Sequence, residues 1–405
     1  MANEFLNFIL ALVVIIVAAK ASGYISTRLR QPSVLGELLA GLILGPTVLD
    51  MFHVWPVFSQ DAHLPESITL LAEMGVLLLM MLAGLELHLP ELVKSGKVSA
   101  LAGTLGVLVP LGLGWGTAVL FNASNSEGIF IGLALAATSV SISAQTLLEL
   151  NVLRSRVGLA LLGAAVFDDI LVILALSISL LLVGGGDGGV TTIIITILRM
   201  IGYLVGASLI GFWLIPRLVR WVDNLPISQG TVAAVLVIGL LYAWAAEVLG
   251  GMASITGAFL VGLFLAQVSF KERIETAVST LAYGFFVPIF FVNIGLEVNL
   301  RAISGSAWWF ALVLTVVAVI SKIIGSGLGA RLTGFSNRES LQLGIGMVSR
   351  GEVGLIVASF ALIEGMISSA NFSIVVFMVI MATLVTPPML RAVFAAEKPP
   401  KPAAS

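Results

Sequence analysis

Apolar residues gather along this chain into thirteen stretches, each near the roughly 20 residues that a helix needs to cross a bilayer. The stretches cover residues 4–27, 33–51, 66–87, 96–121, 126–149, 153–183, 190–219, 227–249, 253–270, 275–297, 304–332, 338–365 and 370–394. Numbered one to thirteen, they predict an all-α polytopic membrane protein with about 13 transmembrane helices. Two stretches read as broken. Segment five contains Ala137-Thr-Ser-Val-Ser-Ile-Ser, and segment twelve contains Met347-Val-Ser-Arg-Gly-Glu-Val-Gly. A continuous lipid-facing helix would not carry the second. Discontinuous helices that cross at mid-membrane expose carbonyls and helix ends that can coordinate a cation or neutralise a charge.

The polar connections alternate in charge. Arg28, Lys94, Arg154, Arg217, Lys271, Arg331 and Arg391 fall on one side. Asp50, Glu127, Asp187, Glu247 and Glu364 fall on the other, where Arg301 is the one basic residue. The positive-inside rule then puts the N-terminus outside and the C-terminus inside, which requires an odd number of passes.

The order of the segments also repeats. Gly36-Glu-Leu-Leu-Ala-Gly in segment two resembles Gly257-Ala-Phe-Leu-Val-Gly in segment nine. Gly84-Leu-Glu closes segment three and Gly295-Leu-Glu closes segment ten, while Ile131-Gly-Leu-Ala in segment five echoes Leu343-Gly-Ile-Gly in segment twelve. Paired segments lie seven apart, so the two copies run in opposite directions. Such an inverted-topology repeat is a signature of secondary transporters. Segments one to six match eight to thirteen, with segment seven as a linker helix.

Composition narrows the function classes. The 405 residues are 59% hydrophobic and 10% charged, against about 25% charged in soluble domains. Nothing offers a surface to nucleic acid or to a soluble partner, and lipid is the expected surrounding. With no cysteine, disulfides and thiolate metal sites are excluded. No cofactor is expected. Met1 to Phe5 does not read as a cleaved signal, Gly184-Gly-Gly-Asp-Gly-Gly reads as a flexible outside loop, and the Pro/Ala-rich tail reads as disordered.

The chemistry sits in a short inventory of polar residues at membrane depth: Glu37, Glu73, Thr138, Ser139, Ser141, Ser143, Asp168, Asp169, Arg199, Asn293, Lys322, Arg350 and Glu352. A carboxylate at bilayer depth costs roughly 3 kcal/mol on insertion scales, and two adjacent ones repel. Asp168 and Asp169 lie about 100° apart on a helix, so one can face a partner while the other faces a cavity. Lys322, mid-segment, needs a buried partner, and the aspartates are the excess negative charge at that depth. That bridge is either permanent or titrating. The Arg350–Glu352 doublet is either a helix-end clamp or a direct participant in transport. Arg199 has no assigned role. Carboxylate, hydroxyl and carbonyl oxygens suit alkali cations and protons. A carboxylate that binds a cation or a proton, but not both, couples the two by competition.

At these residues the chain resembles the monovalent cation:proton antiporter-2 family, most closely its NapA-type sodium/proton antiporters. The resemblance is carried by Gln31-Pro-Ser-Val-Leu-Gly-Glu, Gly84-Leu-Glu, Ala137-Thr-Ser-Val-Ser, Gly163-Ala-Ala-Val-Phe-Asp-Asp, the Lys322 helix and Val348-Ser-Arg-Gly-Glu-Val-Gly. It implies dimerisation helices in 1–95 and 226–300, a core domain in 96–185 and 301–395, a linker helix in 186–225 and a cytoplasmic tail in 396–405. It implies a homodimer in a bacterial inner membrane, transport by an elevator movement, and no enzymatic activity. Asp169 would carry the sodium ion or proton, with Thr138 and Ser139 at the broken-helix site. Asp168 would pair with Lys322, and Arg350 and Glu352 would support the polar network. Two aspartates resemble electrogenic members, whereas Kef-type potassium efflux relatives usually have Gln-Asp and a cytosolic nucleotide-binding domain. A Kef-type potassium/proton antiporter is the alternative. An intramembrane aspartyl protease needs two aspartates from different helices facing one water. Adjacent Asp168 and Asp169 cannot provide that, and Gly184-Gly-Gly186-Asp187 lies in a loop. A structural or receptor membrane protein leaves the mid-membrane charges unexplained.

Overall fold

Helices begin and end where capping and backbone chemistry allow. The computed structural model describes residues 2–29, 31–85, 95–183, 189–297, 299, 301, 305, 307–363 and 365–395. The 184–188 loop, residues 86–94 after segment three, Glu364 and the 396–405 tail lie outside the described residues. The first four helices are α1 (Ala2–Arg28), α2 (Ser33–Leu44), α3 (Met51–Val54) and α4 (Leu64–Leu85). Next come α5 (Gly96–Leu120), α6 (Asn125–Ala136), α7 (Val140–Glu149), α8 (Arg156–Val183) and α9 (Gly189–Asp223). They are followed by α10 (Gly230–Val248), α11 (Ser254–Leu265), α12 (Lys271–Leu281), a π-helical turn (Ala282–Phe286) and α13 (Val287–Leu296). The last are α14 (Ala307–Leu332), α15 (Asn337–Gly346), α16 (Glu352–Ile363) and α17 (Ser369–Phe394).

Ten spans among the described residues are long and apolar enough to cross a membrane. The protein is an all-helical, multi-pass integral membrane protein. Segments two and nine depart from the single long helices that their apolar lengths predict. α2 stops at Leu44 because Gly45 is extended, with ψ −176°, and Pro46 disfavours helix in the residue before it. α11 has 12 residues, a rise of about 18 Å against a hydrocarbon core of about 30 Å. Segments five and twelve, both read as broken, divide into α6 and α7 and into α15 and α16. Apolar length measures where a chain can lie in lipid, and does not report a turn inside the stretch.

α6 and α15 start alike. Ser124 and Glu127 form a reciprocal capping box at α6, and Ser336 and Glu339 form another at α15. Each cap satisfies amide groups that a helix start leaves without partners.

Helices come into backbone contact at glycines. A Cβ at Gly41 of α2 would strike the Val292 carbonyl of α13, and one at Gly262 of α11 would strike the Met81 carbonyl of α4. Gly84 of α4 meets the Phe259 carbonyl of α11, and Gly295 of α13 meets the Leu38 carbonyl of α2. Gly132 of α6 lies on the Leu111 carbonyl of α5, and Gly344 of α15 on the Ile323 carbonyl of α14. Small residues permit close approach where lipid supplies no hydrophobic drive to associate. α14 also packs along α5 and α17, and α5 along α8. Trp213 and Trp221 on α9, Trp244 on α10 and Trp309 on α14 are exposed, as expected of a lipid-facing surface.

Gly262→Val is expected to abolish recovery of folded protein. Overpacking costs about 1–3 kcal/mol when side chains can shift, and here the obstacle is main chain, which cannot rotate away. Gly202→Val, at a position with open space around it, is the control. Monodisperse yield in detergent is the measurement, and equal yields would refute the packing argument.

Candidate functional site

α8 carries both aspartates through the interior. Asp168 is fully buried and Asp169 nearly so. Their adjacent positions send them to different neighbours. Asp168 Oδ1 forms an ion pair with Lys322 Nζ of α14, and neither side chain has any exposed surface. Asp169 instead lines a narrow cleft with Met80 of α4, Val140 of α7, and Ile255, Thr256 and Phe259 of α11. Lys322 remains within electrostatic reach of Asp169 and Arg350.

Glycines on α5 let it approach the two helices that carry the ion pair. A Cβ at Gly103 would strike the Ala164 carbonyl and the Phe167 Cβ of α8, both at 2.8 Å, and one at Gly106 would strike the Ser326 hydroxyl of α14. An ion pair taken out of water persists only when geometry and added hydrogen bonds offset the desolvation.

Two unwound stretches meet beside it. The chain leaves helix at Ala137 (ψ 139°) and stays extended at Ser139 (φ −100°, ψ 108°) between α6 and α7. Residues 347–351 separate α15 from α16. The Ser139 amide donates to the Ser349 carbonyl at 3.0 Å, and the Ser349 hydroxyl donates to the Ser139 carbonyl at 2.5 Å. The Ser143 hydroxyl donates to the Gly346 carbonyl at 2.5 Å and lies 2.9 Å from the Ser349 hydroxyl. Helix ends leave carbonyls and amides without intrahelical partners, and here each break supplies partners for the other.

Arg350 completes the crossing. Fully buried, it donates from Nη1 to the Met347 and Val348 carbonyls at 3.0 and 2.9 Å, and from Nη2 to the Ala318 carbonyl of α14 at 3.3 Å. Its own carbonyl accepts from the Thr383 hydroxyl of α17. This geometry is a clamp on the end of α15. Glu352 opens α16, and its side chain lies outside the described residues.

Thr138 lies near the Asp168 carboxylate. Among the described residues, though, neither Thr138 Oγ1 nor Asp168 Oδ2 has a partner at hydrogen-bond distance, and both are buried. Among the described residues no three His, Asp or Glu side chains converge as metal ligands. The local donors are carboxylate, hydroxyl and carbonyl oxygens.

Residues 9–396 match the family model described as sodium/hydrogen exchanger, transmembrane. The chain belongs to the sodium/hydrogen exchanger family. It is 41% identical to the Na(+)/H(+)-K(+) antiporter GerN of Bacillus cereus, over 96% of this chain and 97% of that one. It is 36% identical to a Na(+)/H(+) antiporter of Enterococcus hirae, over 95% and 98%. The solved sodium proton antiporter MjNhaP1 of Methanocaldococcus jannaschii has the same fold, with TM-score 0.72, 18% identity, and coverage of 97% of this chain and 99% of that one.

Sequence reasoning about this exchanger missed Gly103 and Gly106. The available signal was a Gly-x-x-Gly spacing inside an apolar helix, which one sequence does not separate from ordinary small-residue packing. It also missed Thr256, one of three hydroxyl residues in segment nine. Arg199 now has a contact: Nη2 and Nε donate to the Val248 and Leu249 carbonyls at 2.8 and 3.2 Å, at the end of α10. Glu37 is buried on α2, and Glu73 is exposed on α4. Asn293 of α13 donates to Glu297 at 2.8 Å.

Proposed function

We propose that this exchanger swaps a monovalent cation, sodium or lithium, for protons across a bacterial plasma membrane, as a transporter rather than an enzyme and with no cofactor. One observation carries the reading. A buried carboxylate, Asp169, faces a cleft between helix groups, one residue away from a second carboxylate already held by an ammonium. Asp169, with Thr138 and Ser139, holds the cation or a proton in turn. The Lys322–Asp168 pair takes up the second proton, so that two protons exchange for one cation and each cycle moves net charge. The orphaned Asp168 Oδ2 and Thr138 Oγ1 are hard oxygen donors of the type that alkali cations accept. The names of the relatives favour sodium over the potassium-efflux alternative. The test is a panel of sodium, lithium and potassium pulses on proteoliposomes carrying an imposed proton gradient. Sodium is expected to dequench an acid-sensing dye. A response to potassium alone would favour the alternative.

The same proposal extends to the architecture. Thirteen passes, with the short α2 and α11 included, form two inverted six-helix repeats around a linker helix. Reciprocal glycine contacts support this: Gly41 on Val292 answers Gly262 on Met81, and Gly84 on Phe259 answers Gly295 on Leu38. The paired capping boxes at Ser124 and Ser336 support it as well. The N-terminus is outside and the C-terminus cytoplasmic. Residues 1–95 and 226–300 dimerise with a second copy, and 96–185 with 301–395 form the core that slides as an elevator. Residues 186–225 link them.

That sliding has a local test. The Ser33 amide at the start of α2 donates to Glu149 Oε2 at 2.7 Å, and the Ser33 hydroxyl pairs with Oε1, across the proposed domain boundary. The chain has no cysteine, so S33C/E149C can be cross-linked without background. Oxidation is expected to cut exchange by more than about tenfold, since a bond across the sliding surface traps one facing state, and reduction should restore it. T69C/N293C, within the proposed dimerisation domain where Thr69 and Asn293 lie 3.4 Å apart, should cross-link without effect. Undiminished exchange in oxidised S33C/E149C would rule out sliding at this contact.

A further inference from the structure

We propose that Thr256 is a cation ligand supplied by the non-moving part of this exchanger, present in only one facing state of the cycle. The proposal rests on the sodium/proton antiport and elevator reading above and adds a residue that the broken-helix site does not contain.

The cleft before Asp169 is otherwise apolar. Of the side chains that line it, Asp169 and Thr256 are the polar ones, set among Met80, Val140, Ile255 and Phe259. Thr256 is 4% exposed. It stands in the first turn of α11, whose start faces this same cleft. Hydroxyls buried in apolar helices commonly donate back to the carbonyl four residues earlier. Thr104, Thr117, Thr315 and Thr386 do so here, at 2.7–2.8 Å. Thr256 makes no such bond among the described residues. In its place in the chain, the carbonyl four residues back belongs to Met252, before the helix begins. Its hydroxyl is therefore not fixed in orientation by the helix and is free to turn an oxygen lone pair toward the cleft.

A dehydrated alkali cation needs several oxygen ligands. Asp169 and the crossing supply theirs from one helix group, and they travel with it. α11 packs against α4 and α10 in the other group. When Asp169 sits opposite α11, a cation on the carboxylate gains the Thr256 oxygen, and when the core slides away it loses it. The cation is then held more tightly from one membrane face than from the other. A proton on Asp169 needs no such shell, so the hydroxyl discriminates the cation from its competitor in that state alone.

The test measures sodium KM separately from each membrane face in proteoliposomes of defined orientation. It compares wild type with Thr256→Val, which keeps shape and removes the hydroxyl, and Thr256→Ser, which restores it. Loss of one neutral oxygen ligand is expected to raise KM about fivefold, from one face only, with kcat within about twofold and recovery in Thr256→Ser. Thr256→Ala serves the same comparison where the valine variant does not reconstitute. An unchanged KM, an equal rise from both faces, or no recovery with serine would overturn the assignment. Wild type without sodium-driven exchange would instead overturn the antiport reading on which it rests.

Discussion

Asp169→Asn is expected to abolish sodium-driven proton movement in proteoliposomes while leaving the protein folded. The amide keeps the size of the carboxyl and removes its charge and its exchangeable proton. Two unit charges about 4 Å apart at an effective dielectric near 20 attract by about 4 kcal/mol, which is roughly a thousandfold in affinity. The carboxylate is nearly buried, so bulk screening does little to reduce that figure. Exchange should fall by at least about a hundredfold for both sodium and lithium. Folding should survive, because the neutral side chain costs less to bury than the ion it replaces. The dye-dequenching rate measures the first expectation and the detergent melting midpoint the second. Exchange within a few-fold of wild type would remove Asp169 from the carrier role.

Lys322→Ala is expected to destabilise the protein strongly, and Lys322→Met combined with Asp168→Asn is expected to recover most of the loss. The single change leaves the Asp168 carboxylate at zero exposure without its ammonium. Breaking a buried pair from one side costs about 3–5 kcal/mol, whereas replacing both partners by neutral groups is often nearly neutral. Thermal melting of the wild type, the single variant and the double variant separates the two cases. The pair also carries the second proton in the proposed cycle. The double variant should therefore still exchange sodium for a proton at Asp169, but an imposed membrane potential should no longer drive it. Voltage-driven exchange that persists in the double variant would place the second proton elsewhere.

Sequence reading reached much of this site because charge in lipid is costly wherever it falls. Asp168, Asp169, Lys322 and Arg350 stand out in apolar runs before any contact is known, and the serines of the two breaks stand out with them. Glycines 103 and 106 did not stand out. Their effect is the close approach of α5 to α8 and α14, and nothing in α5 itself records those neighbours. Arg350 and Arg199 show the same limit. Both were visible as cations within apolar segments, but their acceptors are backbone carbonyls, which carry no residue identity. The shortened α2 could be read from Gly45-Pro46, where a local steric rule outweighs apolar length. The early end of α11 has no comparable local signal.

What the sequence determined alone was the solvent and the inventory: a chain this apolar must lie in lipid, and its few deep polar residues need polar partners. Those conclusions need only transfer free energies, which are additive along a chain. What the tertiary structure decided was the division of labour between two adjacent aspartates. A rotation of about 100° separates them on the helix, but which direction meets Lys322 and which meets the cleft depends on where α14, α5 and α11 stand. That is set by backbone contacts at glycines, and such contacts are properties of helix pairs.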